Sequence, residues 1–489
     1  MKHQSRNVPT LIVYYSRTPW SGRIIHIPEV VQMPNRSRML KMHPAALVLL
    51  SFLLLILTGA LLLMLDISTT EGHISWVDAL FTATSAVCVT GLIVVDTGTF
   101  FTTFGQWVIL GLIQLGGLGV MTISVALFTW IGRSISIRHR LIMQDLFAHT
   151  PRQDIYRLVR SVILFTLATE SLGAILLTWH WSRELPLNQA LYYGIFHSIS
   201  AFCNAGFALL PDSMVRYGGD WLLNLTVCSL IIVGGIGFPV LYDLQSRYLD
   251  RKKKSMRLSV QTKTVLLTTV LLIAGGALTF GLLESGSLIF SGKSLSERVF
   301  ISLFQSITCR TAGFNTVDIG ALREVTIVMM ISLMFVGASP GSCGGGVKTT
   351  TLALLFSFVI SRIRHKRRVN MFRKSIPEAT VTRSMSLVIL STAIINLVLF
   401  MLLLSDSYIS AGGGQTKINT LQYLFETVSA FATVGLSTGI TSFLTTWDKY
   451  WIVLVMIIGR IGVLTFSYII VGTDASGGKE YSEENMMIG

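Results

Sequence analysis

The sequence predicts an all-α membrane protein: one chain in which a four-part unit recurs four times about a central axis, with eight transmembrane helices and both termini cytoplasmic. Three observations lead there. The 489 residues are 51% hydrophobic and only 13% charged, with mean hydropathy +0.64, where soluble domains carry roughly 25% charged residues. A chain of this length with so little charge cannot cover its surface with polar groups, so lipid is its solvent and an ordinary soluble enzyme is excluded. Eight apolar runs are long enough to cross a bilayer, and shorter half-polar segments alternate with them. Those short segments each end in a similar Gly-terminated loop.

The spans read as 45–65, 107–131, 158–179, 222–241, 264–283, 325–358, 385–404 and 451–471, against the ~20 apolar residues that crossing requires. The sixth is too long for one span and is interrupted by Gly and Pro. Within each pair of spans lies a short segment, 76–87, 188–202, 295–307 and 418–431. These are too short to cross and suit re-entrant helices. Two open with capping boxes, Ser75 with Asp78 and Ser294 with Glu297.

Lys and Arg set the orientation. The N-terminal arm and the loops after spans two, four and six hold 28 of the 39 basic residues. That asymmetry places those loops and both termini in the cytoplasm and the short segments toward the outside. It also accounts for the net charge of +14 by anionic lipid rather than nucleic acid. Residues 1–43 carry Pro9, Pro19, Pro28 and Pro34 and no apolar core of signal-peptide length. They read as a cytoplasmic extension, with a start at Met33 or Met39 left open, and residues 473–489 read as a cytoplasmic tail. The five cysteines, Cys88, Cys203, Cys228, Cys309 and Cys343, are odd in number and sit in apolar or Gly-rich stretches. They form neither a disulfide framework nor a spaced metal site and read as reduced and buried.

The repeat is visible residue by residue. The loops read Ser85-Ala86-Val87-Cys88-Val89-Thr90-Gly91, Ser200-Ala201-Phe202-Cys203-Asn204-Ala205-Gly206, Thr308-Cys309-Arg310-Thr311-Ala312-Gly313 and Ser429-Ala430-Phe431-Ala432-Thr433-Val434-Gly435. Phe81, Phe196, Phe304 and Phe425 stand upstream, and the final glycines are 115, 107 and 122 residues apart. The second spans repeat as well: Gly116-Gly117-Leu118-Gly119, Gly234-Gly235-Ile236-Gly237, Gly337-Ala338 and Gly459-Arg460-Ile461-Gly462. The units fall at 44–131, 158–245, 262–360 and 382–472, and such covalently linked copies imply a pseudo-fourfold axis.

Four such loops suit the dehydration of an ion. An ion crossing selectively exchanges its water for closely spaced oxygens, and backbone carbonyls from four strands supply them. Glycine permits the backbone angles this needs. The candidate ligands are the carbonyls of Val89, Thr90, Gly91, Asn204, Ala205, Gly206, Thr311, Ala312, Gly313, Thr433, Val434 and Gly435.

Inside span six, Gly337-Ala338-Ser339-Pro340-Gly341-Ser342-Cys343-Gly344-Gly345-Gly346-Val347-Lys348-Thr349-Thr350 cannot be ordinary helix, since Gly costs up to ~1 and Pro ~3 kcal/mol relative to Ala. Unwound backbone at membrane depth must be buried in protein or line water, so this stretch belongs against the pore. It is no phosphate-binding loop: Val347 separates Gly346 from Lys348, and no strand precedes it. Arg460 lies mid-span, where the first two units have Gly117 and Gly235. A central Arg costs about 2.5–3.5 kcal/mol on insertion scales and faces a partner or water. Glu170, within span three, is a weaker candidate, as an ion or proton site or a helix–helix hydrogen bond. Glu426, Gln305, His197 and Thr82 follow the repeated Phe and suit bracing the loops. The spans show no clustered Ser/His/Asp, no H-E-x-x-H and no paired carboxylates, so a membrane enzyme is disfavoured.

Cys88-Val89-Thr90-Gly91, Asn204-Ala205-Gly206-Phe207, Arg310-Thr311-Ala312-Gly313-Phe314 and Ala432-Thr433-Val434-Gly435 resemble the four filter loops of the Trk/Ktr/HKT cation transporters, most closely the KtrB type. The closing Glu484-Asn485-Met486-Met487-Ile488-Gly489 resembles a KtrB tail. The resemblance runs from about residue 44 to the C-terminus; the extension before Met42 departs from it. It implies K⁺ uptake across the plasma (inner) membrane, with Na⁺ as activator and all four filter positions Gly as favours K⁺. A Na⁺ or unselective transporter of the same architecture is the alternative. It also implies that residues 337–348 form an intramembrane gate with Arg460 as a positive barrier, that the chain is a homodimer, and that a cytosolic KtrA-type subunit binds ATP or ADP in its place.

Overall fold

The computed structural model describes residues 44–119, 155–248, 258–411 and 418–463. The expected N-terminal extension and C-terminal tail, and the later residues of spans two and eight, lie outside the described residues.

The first spans of the four units are the helices Pro44–Leu63, Ile155–Trp181, Val260–Leu283 and Glu378–Ala411. They present apolar side chains outward: Leu54, Leu61, Leu172, Ile175, Val270, Leu278 and Ile389 are all well exposed. Side chains of this kind left bare in water would be costly, and against lipid they are at home. The short helices are Trp76–Cys88, Leu187–Phe202, Leu295–Thr308 and Thr420–Ala432, within about two residues of the sequence reading. They are mostly buried, and Phe81, Phe196, Phe304 and Phe425 all lie in the main core. Ser294 and Glu297 form the expected reciprocal capping box. Ser75 Oγ accepts from the Asp78 amide and donates to Asp78 Oδ2 at 2.8 Å, so the return bond goes to the hydroxyl and not to the Ser75 amide; Asp78 Oδ1 receives Lys449 Nζ at 2.6 Å.

The second spans differ from expectation. Only Arg160–Trp181, Val260–Leu283 and Glu378–Ser407 are single helices long and apolar enough to cross among the described residues, plus one bent pair. The other second spans begin as Thr103–Leu118, Glu324–Phe335 and Thr446–Ile461. The bent pair is Trp221–Ile236 with Phe238–Tyr248, turned by 92°. The sequence predicts an interruption in span six alone, yet the helix also ends at Gly119, Gly237 and Gly462 in the other units, with φ of 80°, 97° and 96°. The repeated glycine motif is thus a helix stop at a left-handed residue as well as a packing element. In span six the break runs from Val336 to Lys348, between Glu324–Phe335 and Thr349–Ile363.

The helices join in cyclic order. The first short helix packs on Thr446–Ile461 of the fourth unit, the second on Thr103–Leu118, the third on Trp221–Ile236 and the fourth on Glu324–Phe335. Each short helix therefore leans on the second span of the unit before it, and the last unit closes on the first. Between spans six and seven the sequence suggests only a basic loop; a two-stranded hairpin stands there, Asn370–Met371 paired with Lys374–Ser375. Its two turn residues, Phe372 and Arg373, both have positive φ.

Candidate functional site

Each short helix runs into its loop through the same backbone device. Two residues before the final glycine stands a non-glycine residue with positive φ: Val89 at 57°, Asn204 at 61°, Thr311 at 77° and Thr433 at 53°. The glycines follow at 91°, 70°, 80° and 87° for Gly91, Gly206, Gly313 and Gly435. Three of the four preceding residues are β-branched, for which this region is a rare outlier. Such angles cost on the order of 1–3 kcal/mol each and persist where the surroundings over-determine them.

The surroundings here are hydroxyls on the preceding helix turn. Ser85 Oγ accepts from the Gly91 amide at 3.1 Å, and Ser429 Oγ accepts from the Gly435 amide at 3.1 Å. In the other two units the hydroxyl donates instead, Ser200 to Phe207 O at 2.7 Å and Thr308 to Phe314 O at 2.6 Å. These four Ser/Thr positions open the repeated loop in the sequence, yet their role is visible only from the fold.

The four glycines close into a ring. A Cβ placed on Gly91 would strike Ala205 O; on Gly206 it would lie 2.8 Å from Ala312 O; on Gly313 it would lie 2.7 Å from Val434 O; on Gly435 it would strike Thr90 O. Each loop thus touches the next, and the fourth touches the first. The side chains of Val89, Thr90, Asn204, Ala205, Thr311, Ala312, Thr433 and Val434 are buried. The Asn204 amide also lies 3.2 Å from Thr311 Oγ1, tying the second loop to the third.

The residue after the repeated Phe clasps the chain three residues beyond the glycine. His197 Nε2 accepts from the Leu209 amide at 3.2 Å, Gln305 Nε2 donates to Thr316 Oγ1 at 3.2 Å, and Glu426 accepts from the Thr438 amide at 3.2 Å. Glu426 also accepts from the hydroxyls of Ser437 and Thr441. His197 Nδ1 lies 2.8 Å from Tyr193 O, so that nitrogen carries the proton and Nε2 the lone pair. Among the described residues, Thr82 in the first unit has no partner for its buried hydroxyl.

The Gly-rich break lies against this ring. The Gly345 amide donates to Thr433 Oγ1 at 2.8 Å, and the side chain of Thr311 fills the space that a Cβ on Gly344 would need. On its other side the break is stitched to the second unit: the Ser339 amide donates to Gly235 O at 3.1 Å and the Phe238 amide to Gly341 O at 2.9 Å. Arg460 donates to Cys343 O and to Gly116 O, bridging the break to the first unit. Lys348 turns back on the loop, its Nζ donating to Gly344 O at 2.7 Å. Among the described residues neither cation forms an ion pair; the ion pairs there are Lys449–Asp78 and His180–Asp220.

Glu170 is buried. Gln114 Nε2 donates to it at 3.2 Å and Cys203 Sγ lies 3.9 Å away, so it joins the second span of unit one to the base of the second loop. Arg310, within the third loop, turns outward to Thr269 Oγ1 at 3.4 Å; the sequence reading assigns it no role. All five cysteines are free and buried, as expected.

Residues 34–474 match TrkH, described as a cation transport protein. The chain belongs to the TrkH cation transport protein family. It is 41% identical to the Ktr system potassium uptake protein B of Bacillus subtilis over 88% of this chain and 94% of that one. With the protein of the same name from Vibrio alginolyticus it shares 39% over 91% and 94%. It is 33% identical to the potassium/sodium uptake protein NtpJ of Enterococcus hirae over 92% and 98%. The fold is that of the crystal structure of the potassium transporter TrkH from Vibrio parahaemolyticus, with a TM-score of 0.68, 20% identity and coverage of 90% and 87%. With its lipid-facing helices, this TrkH-family chain is an integral membrane transporter and not an enzyme.

Proposed function

We propose that the chain is the ion-translocating subunit of a K⁺ uptake system. The observation that carries this reading is the ring of four glycines, each two residues after a left-handed residue. In an extended strand successive carbonyls point to opposite sides. A left-handed residue at alternate positions undoes that alternation and turns neighbouring carbonyls the same way. Four such stretches meeting at one ring supply the oxygen cage that replaces an ion's water, with the ring as a pseudo-fourfold selectivity filter in a pore of eight spans. Residues 337–348 and Arg460 gate it: a guanidinium and an ammonium beneath the ring, held by backbone carbonyls and by no carboxylate among the described residues, oppose a cation until the loop moves.

Activation by Na⁺, homodimerisation, cytoplasmic termini, a plasma-membrane location and a KtrA-type nucleotide-binding partner complete the proposal; the Ktr system names of the relatives support a partner subunit. The test is growth of a K⁺-uptake-deficient strain at low K⁺, with and without Na⁺ and with and without a co-expressed regulator. Rescue is expected, and failure in all four conditions overturns the reading. The name of the Enterococcus relative supports a second reading, transport of both K⁺ and Na⁺. Na⁺ uptake that persists in excess K⁺ would favour it.

A further inference from the structure

The segment that joins spans six and seven encloses a cavity of about 490 Å³, which the hairpin borders through Ser375. Arg362, Arg367 and Arg368 line it, with Glu378 as the one acid. Among the described residues none of the three arginines is in an ion pair; the Arg362 guanidinium lies 5.1 Å from the centre of the Phe358 ring. The floor is apolar: Val369, Val381 and Leu354 form a small core separate from the main one, with Phe358 and Met385 packed against it. One helical turn inward from Met385, Ile389 is 70% exposed.

We propose that this cavity binds the phosphate-bearing headgroup of an anionic phospholipid. The charge is complementary, since a guanidinium meets phosphate oxygens through paired N–H donors. The cavity also sits where span six ends and span seven begins, at the level of the headgroups. Inward along span seven the cavity gives way to the bare apolar surface of Ile389, which suits an acyl chain; a soluble anion or a water-borne protein would have no use for that surface. The inference depends on the chain spanning a membrane and not on which ion it carries.

The experiment uses the full chain, delipidated in detergent, and native mass spectrometry to follow binding of phosphatidylglycerol and of zwitterionic phosphatidylcholine. The expected result is preference for phosphatidylglycerol, weakened on the order of tenfold or more in the Arg367→Gln/Arg368→Gln variant, since each basic side chain near an anionic lipid adds about fivefold. Binding of phosphatidylcholine should not change. If the Gln pair does not fold, Arg367→Lys/Arg368→Lys keeps the charge and loses the paired donors, and a smaller but measurable loss is expected. Equal binding of the two lipids, or unchanged phosphatidylglycerol binding in the folded variant, overturns the proposal. Displacement by millimolar inorganic phosphate would assign the cavity to a soluble anion and also overturn it. So would loss of a co-purified regulatory subunit with lipid binding intact, which would assign the cavity to a protein.

Discussion

Gly313 sits at φ 80°, and the place a Cβ would take is already held by Val434 O at 2.7 Å and Gly206 Cα at 2.9 Å. Gly313→Ser therefore strains its own backbone and pushes two neighbouring loops. The apparent affinity for K⁺ should fall on the order of tenfold, from ~1–3 kcal/mol of strain, measured by uptake kinetics at matched expression. An unaltered affinity would show that the loops do not bind the ion. Arg460 makes the opposite case. Its guanidinium is held by two backbone carbonyls, Cys343 O and Gly116 O, and by no carboxylate among the described residues. Arg460→Gln keeps a donor for one of them and removes the charge. Maximal K⁺ flux should rise several-fold with the protein still folded by size exclusion; unchanged flux would remove Arg460 from the gate. Both positions were legible in the sequence, Gly313 from the repeat and Arg460 because a charge at mid-span has few reasons to be there. What Arg460 touches was not, because its partners are backbone atoms 117 and 344 residues away.

At the scale of elements, the four short helices were legible almost to the residue, since a half-polar run between spans stands out by composition. Their bracing was legible only as a choice of polar residue. Glu426 holds three groups of the outward segment at once, Ser437, Thr438 and Thr441. Glu426→Ala leaves those donors without their acceptor, and buried unsatisfied groups cost roughly 1–3 kcal/mol each. The melting temperature should drop and K⁺ affinity with it, while Glu426→Gln should recover part of both. An Ala variant that matches wild type in melting and uptake would refute the bracing role. The helix ends at Gly119, Gly237 and Gly462 are not announced by the sequence, because Gly within an apolar run resembles a packing residue. The left-handed angle at Gly237 and the 2.5 Å between a Cβ there and Pro340 O make it a stop that touches the Gly-rich break. Gly237→Ala should displace that break and alter flux without loss of the ring; identical uptake kinetics would uncouple the two.

For the whole molecule, the closure of the last unit on the first is the decisive contact. Lys449 Nζ meets Asp78 at 2.6 Å across 371 residues of sequence, joining the fourth unit's second span to the first unit's short helix. Partly exposed pairs of this kind contribute about 1 kcal/mol or less, so Lys449→Ala should lower thermal stability only slightly. The exchanged pair Asp78→Lys/Lys449→Asp should restore it; failure of the exchange to recover more than either single variant would show that the pair is not what joins the units.

The apolar character of the chain, the short helices and the glycine that ends each loop could all be read from the sequence, because hydropathy and a recurring motif are local properties. It took the folded chain to reveal that the loops form a ring, that Val89, Asn204, Thr311 and Thr433 carry the left-handed angle, and that the Gly-rich break is pinned between the second unit, Thr433 and Arg460. Those contacts join backbone atoms from different units, and a backbone amide or carbonyl is the same in every residue, so no side-chain pattern announces where it will find its partner.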